Sequence, residues 1–100
     1  MTRSPVPQEV AVELRRVVER WQQLPLDHAL SRMPLARDLV QSLADRVAGL
    51  RGSVPLPVPD LGPAIVIEQL RVMVYDVCAA DPEADSTWLV DELRGIRQAL

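Results

Sequence analysis

The chain has no lysine and no phenylalanine, and only one cysteine, one histidine, one tyrosine and two tryptophans in 100 residues. Each shortage removes a class of structure or chemistry. A lone thiol, Cys78, forbids an internal disulfide and makes the cytoplasm the expected compartment. With Phe absent and aromatics at 3%, the core has to be assembled from Leu, Val, Ala and Ile. The glycines at 49, 52, 62 and 95 are scattered, so no Gly-rich loop can cradle a phosphate. No HxxH, ExxH or CxxC spacing occurs, and metal binding fails on ligand count. The longest wholly apolar runs, such as Ala64 to Ile67 and Val72 to Tyr75, fall far short of the ~20 residues that cross a bilayer. The start, MTRSPVPQEV, has one Arg and no apolar stretch, which argues against a secretory signal.

What is present is charge of a particular kind. Every basic side chain is Arg, and the net charge is −3. Residues 1–50 carry seven Arg against six acids, whereas residues 51–100 carry four Arg against eight acids. A duplex-binding protein shows a basic face, so this balance disfavours nucleic acid as a partner. The one basic cluster is Arg15, Arg16 and Arg20, diluted by Glu13 and Glu19. The acid-rich stretch from Asp81 to Glu92 is its expected mate within the chain or across a symmetric dimer, choosing register more than supplying stability.

The segment Gly52 to Pro63, GSVPLPVPDLGP, divides the chain. Prolines at 55, 57 and 59 remove amide donors and forbid a helix interior, and the residue before each is pushed toward extended geometry. Unlike a free linker, the segment is apolar between its prolines, with Val54, Leu56, Val58 and Leu61, and is expected to lie against helices. At ~3.1 Å per residue it spans about 30 Å, enough to return the chain along a helix of some 25 Å. That leaves the helices on either side of it parallel. A PxxP ligand is the sharper alternative, but these prolines step by two and not three.

Periodicity fills in the rest. Val10, Leu14, Val17, Val18, Trp21 and Leu24 form one apolar stripe over residues 8–24. Leu35, Leu39, Val40, Leu43, Val47 and Leu50 form a second over 27–50. There Asp27 or Ser31 is a possible cap, and Pro34 either opens the helix or kinks it. Residues 63–80 are apolar on most sides, as in a central or interface helix, although LRVMVYDV is β-branched enough to pass as a strand. Asp60 is a possible cap for this third helix, and Asp85 or Ser86 for a fourth over 86–100, in which Gly95 costs roughly 1 kcal/mol against Ala.

Candidate chemistry is sparse. His28 beside Asp27 has the makings of a general base, but it lies at a helix start, where the dipole disfavours the imidazolium, and no partner is implied. Cys78 shares a face with Leu70, Val74 and Val77, an apolar setting in which thiols are inert. The sequence therefore predicts an all-α four-helix bundle with a proline-rich extended crossover (52–62) between helices two and three, as one domain over 1–100. The expected function is non-enzymatic: protein–protein interaction or oligomerisation, with no cofactor and with itself or another protein as partner. Its candidate interface residues are Arg15, Arg16, Arg20, Trp21, Val72, Met73, Tyr75 and Trp88. Two alternatives stand beside it: a DNA-associated regulator using a helix-turn-helix-like segment at 26–47, and a small-ligand binder or enzyme with a pocket between helices one and three.

Overall fold

Helix α1, Gln8–Gln23, follows the first apolar stripe, with Glu9 in its first turn and Arg20 in its last, the placement that the helix dipole favours. It stops because Pro25 pushes Leu24 into extended backbone (φ −71°, ψ 136°). The computed structural model describes residues 4–100; the first three positions of the expected 1–100 domain lie outside the described residues.

Helix α2 occupies Leu26–Arg51 without interruption and carries Pro34 in its interior. Neither Asp27 nor Ser31 caps it; Pro25 precedes its first residue, and the Ser31 hydroxyl donates instead to the His28 carbonyl at 2.6 Å. Pro34 cannot donate to the Leu30 carbonyl, but both residues are exposed, so water is at hand for the orphaned acceptor. Residues 26–47 thus form one continuous rod. The helix-turn-helix reading of this segment is corrected, because there is no turn to re-aim a second helix.

Two glycines bracket the proline segment. Gly52 closes α2 in the left-handed region (φ 67°), where the Ser53 amide donates to the Ala48 carbonyl at 2.8 Å, a Schellman-type ending. Gly62 (φ 92°) opens α3. Residues 53–62 between them contain no helical turn.

Helix α3 covers Pro63–Ala80 and α4 covers Thr87–Ala99. The β-branched run from Leu70 to Val77 is helical throughout; packing overrides a propensity difference of only a fraction of a kcal/mol per residue. Asp85 supplies the first-turn acceptor of α4, with its Oδ1 receiving the Thr87 amide at 2.9 Å and the Thr87 hydroxyl at 2.7 Å.

Of the two tightest helix pairs, one is sequential and the other joins the first helix to the last. α2 packs most extensively on α3, and α1 on α4. Both pairs run parallel. The starts of α2 and α3 share one surface hollow, lined by Leu26, Ala29, Pro63 and Ala64, and their ends share another, lined by Arg46, Leu50, Val77 and Cys78. For α1 and α4, the Ser86 hydroxyl donates to Glu9 at the starts (3.2 Å), and Arg20 donates to the Leu100 main-chain oxygen at the ends (3.1 Å). Val10 and Val17, Val40 and Leu43, Val66 and Val74, and Leu89 and Leu93 meet in one aliphatic core. The radius of gyration, 13.3 Å, matches the roughly 13 Å of a well-packed hundred-residue domain. Among the described residues, no helix is long and apolar enough to cross a membrane.

Candidate interaction surface

Helix α3 is covered on one side only. Val66, Leu70, Val74 and Val77 are buried, but Ile65, Glu68, Val72, Tyr75 and Ala79 face outward at alternating spacings of three and four. Val72 is 53% exposed and Tyr75 52%. A helix this greasy either sits in the middle of a bundle or presents a face to something else; in this fold one side is buried in the bundle and the other is open to solvent.

The proline segment borders that face. A bundle helix normally gains its neighbours through side chains, but residues 55–59 have few amide donors and mostly offer carbonyls. Two glutamines answer this. Gln41 of α2 accepts the Val58 amide at 2.8 Å and donates to the Leu56 carbonyl at 3.0 Å, reading the segment as an adjacent strand would. Its amide nitrogen also donates to Asp45 at 2.8 Å. Gln69 of α3 donates to the Pro59 carbonyl at 3.1 Å. Composition and periodicity gave no warning of this role, since both positions look like ordinary wet-side polar residues. The only clue was a run of donor-poor backbone that had to find donors somewhere.

Held this way, the segment packs by backbone and not by side chain. Val58 alone of its apolar residues tucks against the core. Val54 (80% exposed), Leu56 (74%) and Leu61 (58%) project into solvent, which corrects the expectation that the apolar residues between the prolines lie down on the helices. Leu56, Pro57 and Val58 line one side of a shallow trough whose other side is Val72 and Met73. The trough and the outer α3 stripe are continuous at Val72. Together they form a continuous apolar surface that the fold leaves uncovered.

The other candidate interface residues are used differently. Trp21 is buried at the end of α1, where its indole N–H donates to the Pro63 carbonyl at 2.8 Å and ties α1 to the start of α3. Trp88 is half-buried under the Arg46 guanidinium, 3.9 Å from the ring centre, a cation–π stack. Arg15 is exposed, Arg16 turns onto Glu13 at 3.1 Å, and Arg20 holds the Leu100 oxygen. The structure gathers Val72, Met73 and Tyr75 on one helix, whereas the bonds of Arg16 and Arg20 stay within α1 and at the end of α4.

The expected match between α1 bases and α4 acids is reversed. The residue at the α1–α4 seam is Glu13, only 4% exposed, and its carboxylate meets Arg97 at 3.2 Å, Arg94 at 3.7 Å and Arg16. Burial acts to raise its pKa, but the Arg97 hydrogen bond and the charges of Arg97, Arg16 and Arg94 outweigh this and hold it below the ordinary value. The signal was its phase: Glu13 lies three residues after Val10 and four before Val17, on the apolar stripe itself.

The groups considered for catalysis serve the fold. His28 donates through Nε2 to the Leu100 oxygen at 2.9 Å, so that proton is committed. Cys78 is buried, and desolvation pushes its thiol pKa up, away from the reactive thiolate. The hollow beside it, between Pro7 and Trp88, has room of about 30 Å³, enough for a water or two and far below a substrate pocket. Among the described residues, no three His, Cys, Asp or Glu side chains converge as metal ligands. Comparison with family models, curated proteins and solved structures returns no match for this chain.

Proposed function

We propose that this protein is a non-enzymatic interaction module that assembles as a homodimer through the outer face of α3 and the adjoining proline segment. The observation that carries this reading is the half-exposed pair Val72 and Tyr75 on a helix whose opposite side is committed to the core. The row is continued by the bare side chains of Leu56 and Ile65. A second copy is the favoured occupant because the face is flanked by both signs of charge, Glu68 and Arg71 (3.9 Å apart) together with Asp76. A mixed border is complementary to itself, whereas a strongly charged partner would meet like charge. Stable interfaces remove about 800 Å² from each partner, an area the proposed dimer would draw from the stripe and the trough together. The same reading places the protein in the cytoplasm, where a single buried thiol is unremarkable.

Light scattering coupled to size exclusion at micromolar concentration tests this directly. The chain should elute as a dimer, and Val72→Glu should convert it to a folded monomer, since the substituted position is already half in water. A wild-type chain that stays monomeric at high concentration would remove the proposal.

A further inference from the structure

A second surface carries an inference independent of the α3 face. α2 and α4 touch only lightly, and a groove of about 430 Å³ opens between them, with Leu35, Leu39 and Ile96 on its walls. In the middle of α4 it is lined by Gly95. This glycine has an ordinary helical backbone, with φ not positive, and a Cβ built on it would meet nothing within 4 Å. Packing within the chain therefore does not demand glycine, although glycine here costs α4 roughly 1 kcal/mol against alanine. A missing side chain at the floor of an open apolar groove lets another backbone come close.

The charge around the groove selects what that backbone carries. Asp38 on α2, and Asp91 and Glu92 on α4, line it. Asp91 is paired with Arg94 at 3.6 Å, but Asp38 and Glu92 have no ion-pair partner among the described residues. The neighbouring bases are already engaged, Arg32 on the Ala99 carbonyl at 3.0 Å and Arg46 on Trp88. The lining runs over about two turns of each helix, roughly 10–12 Å, the footprint of a short helix anchored by side chains at i, i+3 or i+4, and i+7. We propose that the α2–α4 groove is a docking site for a short basic amphipathic helix of a partner protein. Its apolar side faces Leu35 and Ile96, its backbone passes over Gly95, and its Arg or Lys side chains pair with Asp38 and Glu92.

Fluorescence anisotropy tests this with a labelled model peptide of roughly 14 residues, Leu on one helical face and Arg on the other, and with a twin in which Glu replaces Arg. The basic peptide should bind and weaken with added salt, while the acidic twin should not bind. Gly95→Leu should weaken binding about tenfold or more, as expected for blocking a central interface position, with a melting temperature equal to or above wild type because the added side chain enters open space. Asp38→Asn with Glu92→Gln should weaken binding several-fold and flatten the salt dependence. Val72→Glu should leave it unchanged, which separates this site from the α3 face. No binding of the basic peptide, equal binding of the acidic twin, equal affinity of Gly95→Leu, or loss of binding in Val72→Glu would each overturn the proposal.

Discussion

The α2–α3 pair and the α1–α4 pair are both parallel, yet they are held by different physics. Where α2 meets α3 the contacts are aliphatic, Val40, Leu43 and Val47 against Val66, Leu70 and Val74, and the nearest polar bonds belong to the glutamines that hold the proline segment. Where α1 meets α4 the apolar contacts surround a buried carboxylate and its arginines. Apolar burial has no preferred partner and does not titrate; an ion cluster fixes register and depends on pH. One half of the molecule should therefore respond to acid and salt while the other does not.

Substitutions can break that contrast, and the largest effect belongs to the aliphatic half. Leu43 is almost wholly buried, and Leu43→Ala should cost about 2–5 kcal/mol in urea unfolding at neutral pH, with little change in that cost between pH 7 and pH 4. A cost that fell steeply with acid would show that the two halves are not energetically distinct.

Next comes Glu13→Gln, expected to cost about 2–3 kcal/mol at pH 7 by replacing charge-assisted bonds with an amide whose own donors face guanidinium groups. Because the folded carboxyl titrates below the unfolded one, the unfolded chain takes up the proton first as pH drops. The stabilisation is full above the unfolded value of about 4.3 and is lost as pH falls through the lower folded value. Thermal melts of wild type and variant should therefore converge in acid. Salt should narrow the gap partially, since Arg16 and Arg94 are about half exposed.

Pro34→Ala sharpens the comparison from the other direction. It restores the missing amide in an exposed turn of α2, and should raise stability by about 2 kcal/mol after allowing for a looser unfolded chain. A loss would mean that the proline shapes α2 in a way its neighbours require. The smallest effect is expected for Gln41→Ala. It removes the bonds to Leu56 and Val58 for about 1 kcal/mol, but should raise amide exchange at Val58 far more than in the helices.

The helices themselves were legible from apolar spacing and from the prolines and glycines that end them. The sites were less so. Val72, Met73 and Tyr75 could be singled out because α3 has more apolar faces than one bundle can cover, but Trp21 looked equally eligible and is buried. Glu13 and Gln41 could not be found by type, because their importance lies in what stands opposite them, at Arg97 and at Val58, many residues away in the chain.

Sequence alone determined where helices can begin and end, since proline's missing amide and glycine's access to positive φ act within a few residues. It also determined that the core would be aliphatic. Only the tertiary structure decided that α2 continues through Pro34, that the β-branched stretch of α3 coils, and that an acid on α1 draws bases from α4. The first two are local preferences overruled by the packing of the whole helix, and the third depends on partners far along the chain that no local pattern encodes.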